Sequence, residues 1–352
     1  MKRIKQSFLL SIVCVLFAII SVGVLVIVSN NSNDSSNGFT RKFLLQQSLL
    51  LHHIGKPPHA RFMCGSANNY IYFDTDTAGL ILKTDTALGG IGLVKLVYPF
   101  NERIQSLYST IVDSMYTYIM AGNMPKVIRF NKVESSYQSW FIPANLYSES
   151  IVIDSNNFAF RMFEKIAGKW QQVFIKVNPV NKTIAREHDV SQRNNDAGFS
   201  TDGHLLYDPG THFIIYVEYY SNHITCMDTS LQLLYNGHTI DTIKNATVHA
   251  AFKKSPAFET ITNGTPLAPV NLQSCTAEGK LYIHSHIKAD NETFAVFENN
   301  AVVDVYNIST GQYLYSFYIP SRQDGHLTDF KVIRNKIIVV YKNAIAIYRL
   351  PE

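Results

Sequence analysis

Residues 70–85 read YIYFDTDTAGLILKTD, in which an aromatic β-strand turns tightly into a second strand that ends on Asp. The same two-strand unit returns with first strands that start at residues 116, 158, 213, 281 and 337, separated by 46, 42, 55, 68 and 56 residues. Repeats of roughly 40–50 residues built from several strands are typical of β-propeller blades. The spacing therefore predicts an all-β fold, a six-bladed β-propeller.

The second strands of the repeat share one frame. Residues 81–85, 127–131 and 174–178 superimpose residue for residue, with a basic residue two positions before the final Asp or Asn. Alternation should direct side chains toward both neighbouring blades, and the closing Asp or Asn can accept hydrogen bonds from its own turn. The alternative is an antiparallel sandwich with aromatic strands, which offers no reason for one unit to recur in frame.

Residues 8–28 form an apolar run that follows three basic residues, Lys2, Arg3 and Lys5. As a helix, the run spans the roughly 30 Å of a bilayer core and exceeds the roughly 7–15 residues of a cleavable signal core. The charges before it predict a cytoplasmic N-terminus, and a chain that continues outside the cytoplasm. We predict an uncleaved, single-pass anchor in the cytoplasmic (inner) membrane. A cleaved signal peptide is the alternative, and a lipoprotein signal at Cys14 lacks the small residue that should precede the cysteine.

The chain divides into an anchor at residues 1–28, a polar stalk at 29–38 and a propeller at 39–352. The formal net charge of +4 includes the three basic residues before the anchor, so the outer part is nearly neutral. Nucleic-acid-binding surfaces carry clustered Lys and Arg, which argues against such a partner. The predicted partners are the membrane, through residues 8–28, and a protein or small ligand at the pore mouth.

Outside the apolar run, the cysteines are Cys64, Cys226 and Cys275, an odd number with no two close in sequence. Neither a disulfide framework nor a Cys-x-x-Cys motif is present. Each is expected to fill a blade as a small apolar residue. One long-range disulfide stays open.

Only three strands can be found for the last blade before the chain stops. Propellers avoid exposed strand edges, and an N-terminal strand at residues 41–51 is the natural donor of the fourth strand. A short amphipathic helix is the alternative for this segment. Residues 236–271 form an unusually long connection, which predicts an extended outer strand and a loop over the pore mouth.

Five short stretches in the later part of the chain follow a known pattern: HTIDT at 238–242, PVN at 269–271, KLYI at 280–283, VDVYN at 303–307 and YLYSFYI at 313–319. In these stretches the chain resembles a group of bacterial single-pass propeller proteins, similar in blade layout to six-bladed, TolB-like propellers. The resemblance covers most of the chain after residue 40. Its motifs are structural, so it implies no catalytic residues.

Four polar residues at the ends of inner strands are candidates for ligand binding at the channel mouth: Asp113, Asp154, Asn156 and Asp329. Lactonase- and lyase-type propellers hold a metal in the channel through such acidic and amide side chains. The same residue types also cap turns. We predict no cofactor and no metal ion for these four residues.

His284 and His286 have a spacing that a metal could use. Without a third ligand near them in sequence, we interpret them as polar strand residues. The chain contains no Gly-x-Ser-x-Gly elbow, phosphate-binding loop or dinucleotide fingerprint. The leading hypothesis is a membrane-tethered, non-enzymatic binding or scaffolding propeller. The alternative is a metal-dependent propeller enzyme, or an accessory to a redox-associated membrane protein.

Overall fold

The computed structural model describes residues 13–25, 36–97, 104, 108–122, 124–142, 146–192, 194, 196–244, 250–254, 259–263, 268–321 and 325–351. The described residues contain two short helices, α1 at residues 13–25 and α2 at Phe294–Glu298, and are otherwise built from strands, turns and irregular segments.

The predicted anchor lies only partly within the described residues, as helix α1. Among the residues that the structure describes, no helix has both the length and the apolar character needed to cross a bilayer. The rest of the run at 8–28, and stalk residues 29–35, lie outside the described ranges. The membrane anchor therefore stays a prediction.

The strands form antiparallel units of four, and in every unit except the last the four strands are consecutive in sequence. Unit 1 contains β2 (Ala60–Ala67), β3 (Tyr70–Thr75), β4 (Leu80–Asp85) and β5 (Gly92–Lys95). Unit 2 contains β6 (Tyr108–Val112), β7 (Tyr116–Ala121), β8 (Lys126–Asn131) and β9 (Tyr137–Phe141). A single parallel bridge between Gly65 and Val112 joins units 1 and 2 into one eight-stranded sheet. Unit 3 contains β10 (Tyr147–Val152), β11 (Phe158–Ile166), β12 (Lys169–Asn178) and β13 (Thr183–Arg186).

The second half of the chain repeats the pattern. Unit 4 contains β14 (Gly203–Asp208), β15 (Phe213–Glu218), β16 (His223–Asp228) and β17 (Leu233–His238). A hairpin of β18 (Ala250–Lys254) and β19 (Glu259–Asn263) follows within the long connection. Unit 5 contains β20 (Asn271–Ala277), β21 (Lys280–Ser285), β22 (Asn300–Asn307) and β23 (Tyr313–Pro320). Whether the connection covers the pore mouth stays a prediction.

The last sheet, unit 6, combines both ends of the chain: β24 (Leu327–Ile333), β25 (Lys336–Tyr341), β26 (Ala344–Arg349) and β1 (Leu49–Gly55). Strand β1 pairs antiparallel with β26, from Leu49 opposite Arg349 to Gly55 opposite Ala344. An N-terminal strand thus completes the last sheet, as predicted.

The donor strand begins later than the predicted segment 41–51. Residues near Lys42 lie along β23 instead: the Ser316 N–H donates to the Lys42 carbonyl at 2.8 Å, and the Leu44 N–H donates to the Ser316 carbonyl at 3.0 Å. The reason is Arg41, whose buried guanidinium pairs with Asp304 of β22 and holds this part of the segment on unit 5. The alternative of an amphipathic helix is wrong, because the described segment runs into β1.

Neighbouring units share apolar cores, and successive side chains on one strand face opposite neighbours. Ile71 and Phe73 pack in a cluster with Val340 of unit 6, whereas Tyr72 between them packs with Val112 of unit 2. Alternation along a strand is what sends these side chains to two different interfaces. The predicted two-sided blades are confirmed by this packing.

In units 1 to 5, the third strand ends on an Asp or Asn whose side chain holds the turn that follows. Each accepts a hydrogen bond from a backbone N–H two to four residues later: Asp85, Asn131, Asn178, Asp228 and Asn307. This confirms the predicted turn chemistry.

The three cysteines after the apolar run are free and buried. Cys226 and Cys275 pack in the cores between units, beside Ile224 and Tyr282 respectively. The expectation of small apolar residues is confirmed, and the long-range disulfide that was left open is not formed.

Candidate functional site

From here on, the first strand of a unit is the one that comes first in the chain: β2, β6, β10, β14, β20 or β24. The first strands of units 2, 3 and 4 end at one cavity of about 540 Å³. We name it the strand-end cavity, and its lining residues are Ile111, Asp113, Val152, Ile153, Asp154, Lys176, Tyr207, Pro209, His212 and Thr229. Because β6, β10 and β14 all contribute their C-terminal ends, these three strands run in the same direction. The cavity therefore lies at one end of the space between the first strands.

Asp113 and Asp154 each fix a tight turn and line the cavity at the same time. The Asp113 carboxylate accepts hydrogen bonds from the backbone N–H groups of Met115 at 2.7 Å and Tyr116 at 2.6 Å. The Asp154 carboxylate accepts from the N–H groups of Asn156 at 2.8 Å and Asn157 at 2.9 Å. Two of the four predicted residues are thus brought together, each held rigidly by its own turn.

Asn156 follows Asp154 in the turn but does not line the cavity. Its side-chain oxygen accepts a hydrogen bond from Arg129 Nη1 at 2.8 Å, and the same guanidinium contacts the Ser155 carbonyl. The structure therefore gives Asn156 a contact with unit 2.

Asp329 is buried near the start of β24, where its carboxylate accepts a hydrogen bond from the Met63 N–H at 2.8 Å. Asp113 and Asp154, in contrast, follow the ends of their strands. Since neighbouring first strands run parallel, as β2 and β6 do at Gly65 and Val112, Asp329 lies at the opposite end from the strand-end cavity. The four predicted residues do not form one site.

Four other polar residues line the cavity and were not predicted as site residues: Lys176, Tyr207, His212 and Thr229. The Lys176 ammonium donates to the Thr229 carbonyl at 2.8 Å, and the Tyr207 hydroxyl lies 3.2 Å from His212 Nδ1. Lys176 is the basic residue two positions before a strand-closing Asn, so the repeat pattern contained a signal for it. Tyr207 and His212 come from the next unit and reach the cavity only through the fold.

A second polar group, the strand-start cluster, lies at the other end of the first strands and comprises Glu149, Asp202, His204, Ser274 and Lys331. His204 Nδ1 lies 2.9 Å from Ser274 Oγ. Burial and the nearby Asp202 carboxylate raise the pKa of Glu149 to about 8, and burial raises the pKa of Asp202 to about 6. Burial and the Lys331 ammonium lower the pKa of His204 to about 3. Burial thus moves the pKa values of these two carboxyl groups toward neutral pH and that of His204 away from it.

No group of three or more His, Cys, Asp or Glu side chains in the described part of the chain is arranged to hold a metal ion. His284 is buried, and burial followed by the neighbouring His286 lowers its pKa to about 3. Without a third ligand beside them, these two histidines stay interpreted as polar strand residues.

Solved structures with a similar fold were found, although no family model and no curated protein matches the chain. A member of the DUF4221 family from Bacteroides vulgatus is 10% identical, with a TM-score of 0.55 over 90% of this chain and 98% of that chain. Virginiamycin B lyase from Staphylococcus aureus is 10% identical, with a TM-score of 0.47 over 85% and 98%. The β-propeller domain of Cps50 (Swd1) from Myceliophteria thermophila is 12% identical, with a TM-score of 0.44 over 86% and 100%.

These likenesses concern the fold alone, given identities of 10 to 12%. The repeated four-stranded units and the apolar cores that they share define the class of protein: the chain has a β-propeller fold. One fold supports many functions, and function depends on the particular residues of a site.

Proposed function

We propose that the six four-stranded units are the blades of one closed ring. Contacts between first strands support this arrangement: β2 lies against β6 and β24, and β14 lies against β10 and β20. β20 and β24 are also in contact, and the Ser109 and Ser150 hydroxyls, 3.4 Å apart, join β6 to β10. Closure through β1 leaves unit 6 with the same number of strands as the other units.

The ring is a binding or scaffolding module, and the strand-end cavity is where it holds a protein segment or a small ligand. The observation that carries this proposal is the cavity itself, whose volume of about 540 Å³ is within the roughly 300–1,000 Å³ typical of ligand sites. Apolar walls from Ile111 and Val152 would bury part of a ligand. The charges of Asp113, Asp154 and Lys176 would orient it.

The ring is tethered to the cytoplasmic membrane by residues 8–28 and lies outside the cytoplasm. The apolar run and its preceding basic residues support this placement. A C-terminal fusion to alkaline phosphatase, which is active only outside the cytoplasm, tests it: we expect phosphatase activity in the membrane fraction. Activity of a fluorescent protein that folds only in the cytoplasm, fused at the same site, would contradict this topology.

A photo-crosslinking phenylalanine analogue at Tyr207 in the full-length chain tests the cavity in cells. Tyr137 on the exposed strand β9 is the matched control, because it is also a tyrosine but lies outside the cavity. We expect a defined adduct from position 207 that is missing from position 137. Indistinguishable adducts from the two positions would remove the support for a specific site.

A further inference from the structure

Arg161 of β11 is a buried cation that pairs directly with none of the described carboxylates. Its exposed fraction is 2%, and its guanidinium lies over the rings of Phe174, at 4.3 Å, and Tyr216, at 5.0 Å. It donates to the Ser191 hydroxyl and, at 3.5 Å, to the Thr201 hydroxyl, while Nε has no hydrogen-bond partner. Among the described residues, no carboxylate lies within ion-pair distance of it. A buried charge in this state is costly unless something else compensates it.

A separate, smaller cavity of about 50 Å³ adjoins this guanidinium. Its polar lining is supplied by Arg161, Ser191, Gln192, Glu218, Thr225 and Asn236. A volume of this kind exceeds the roughly 10–15 Å³ that one water needs, so it has room for an ion of a few non-hydrogen atoms. The Thr225 hydroxyl and the Asn236 amide can donate hydrogen bonds into it.

Four carboxyl groups face this region, and their protonation decides its charge. Glu218 lines the cavity; burial raises its pKa to about 7, against the opposing effects of the Ser221 hydroxyl and Arg161. Glu187 accepts a hydrogen bond from Ser191 Oγ at 2.7 Å, and burial raises its pKa too. Asp202 and Asp196 complete the set, and each accepts hydrogen bonds from backbone N–H groups. As Glu218 takes up a proton, Arg161 becomes the only charged group among the described residues that line the cavity.

We propose that this cavity binds a small monovalent anion, of the size of chloride or formate, against the Arg161 guanidinium, and that binding is coupled to proton uptake by Glu218. The anion would supply the charge and the hydrogen-bond acceptor that Arg161 Nε lacks. Larger or dianionic ligands are excluded by the volume and by the remaining carboxyl groups around it.

Thermal unfolding of the full-length chain in detergent tests the site with sodium chloride, bromide and formate, against sodium gluconate at equal ionic strength. We expect the three small anions to raise Tm and gluconate, which is too large, to leave it unchanged. If only the protonated form of Glu218 binds the ion, its pKa of about 7 makes the apparent Kd about tenfold lower at pH 6 than at pH 8.

Three variants separate the site from a general salt effect. Glu218→Gln should retain binding and lose the difference between pH 6 and pH 8, while Arg161→Met should lose the response to small anions. Glu164→Gln, which changes a carboxylate that pairs with Arg186 elsewhere on unit 3, should behave as the wild type. An equal response to gluconate, or a response that Arg161→Met keeps, would overturn the proposal.

Crystals grown in bromide decide the question if Arg161→Met does not fold. We expect an anomalous peak within hydrogen-bond distance of Arg161 Nε in the wild-type chain. A water molecule there, with no bromide, would overturn the proposal.

Discussion

Arg41 forms a two-pronged ion pair with Asp304, with Nε 2.8 Å from Oδ1 and Nη2 3.0 Å from Oδ2. Both side chains are buried, and the same guanidinium also contacts the carboxylate of Glu292. A planar guanidinium matches a carboxylate in this geometry better than an ammonium does. The pair fixes the N-terminal segment on unit 5 just before β1 completes unit 6.

Replacing Arg41 with Met should lower the free energy of unfolding by about 3–5 kcal/mol, because it leaves two buried carboxylates without their cation. Arg41→Lys should recover only part of this loss. Arg186→Ala is the control: Arg186 is exposed and its ion pair with Glu164 is partly exposed, so the pair should be worth at most about 1 kcal/mol. Chemical unfolding of the purified chain measures all three. Similar losses for Arg41→Met and Arg186→Ala would contradict the anchoring role.

Two truncations test closure by the N-terminal strand. Removing residues 1–35 leaves every described contact of Ser36 and the residues after it, so we expect a folded protein of unchanged Tm. Removing residues 1–55 also deletes β1, which exposes the edge of β26 and the apolar side chains of unit 6. Since each buried aliphatic side chain is worth about 1.5–3 kcal/mol, this second protein should melt far lower or fail to fold. Equal melting temperatures would refute closure by β1.

Asp154→Asn should remove one negative charge from the strand-end cavity while it preserves the turn. Asn keeps a side-chain oxygen that can accept the N–H groups of the turn and the Asn157 side-chain amide, whereas Asp154→Ala loses all of these hydrogen bonds, each worth about 0.5–1.5 kcal/mol. We therefore expect Asp154→Asn to melt close to the wild type but to reduce the crosslinked adduct from position 207. Asp85→Asn is matched, because Asp85 closes a turn in the same way outside the cavity. An adduct unaffected by Asp154→Asn would show that the carboxylate does not contact the ligand.

The strand-start cluster should make stability depend on pH in two directions. Glu149 and Asp202 have folded pKa values of about 8 and about 6, above their unfolded values of roughly 4.3 and 3.9. The folded state therefore binds more protons, and stability falls as pH rises from about 4 to about 8. His204, with a folded pKa of about 3, does the opposite: stability falls as pH drops below its unfolded pKa of roughly 6.5.

Melting temperatures between pH 5 and pH 9 measure this dependence. Glu149→Gln should flatten the decline on the alkaline side, because its side chain has no proton to release. Glu298→Gln, at an exposed position of α2, should leave the profile unchanged. The same alkaline decline in Glu149→Gln as in the wild type would assign the effect to other groups.

The repeating units were predictable because their signals are local. The aromatic strand that starts at Tyr70, and the Asp85 that closes its partner, lie within one hairpin, so the sequence shows the unit directly. Strand direction alone also places Asp329 at the opposite end from Asp113, so the predicted grouping of these two residues at one channel mouth was wrong. The choice of residues 49–55 as the closing strand was harder to predict. It depends on the ion pair between Arg41 and Asp304, which are far apart in the sequence. The pattern of residues within the segment does not predict such a long-range contact.

The strand-end cavity could likewise be predicted from the sequence only in part. Asp113 and Asp154 were found because they follow first strands, which is a position that a sequence pattern reveals. Tyr207 and His212 look like ordinary strand and turn residues, and only the convergence of three units gives them a shared site. The cavity beside Arg161 was not predicted either, since the burial of one arginine among several is decided by packing.

Asp290 holds the N-terminal segment at one end of unit 5. Its carboxylate accepts hydrogen bonds from the Ser36 hydroxyl at 2.7 Å and from the N–H groups of Asn37, at 2.6 Å, and Gly38, at 3.1 Å. Asp290 follows β21, whose last residue, Ser285, pairs with Asn271 at the start of β20. The N-terminal segment is thus held at the end opposite the strand-end cavity.

Residues 29–35 can bridge at most about 25 Å when fully extended. If residues 8–28 lie in a bilayer, we expect the ring to stand on it with its strand-start side down. Energy transfer from a dye on the ring to labelled lipid headgroups checks this, and should be stronger from Lys342→Cys than from Ser114→Cys in a Cys14→Ser background. The strand-end cavity would then open away from the lipid. Its ligand would reach it from the solvent on the non-cytoplasmic side of the membrane, without contact with the bilayer.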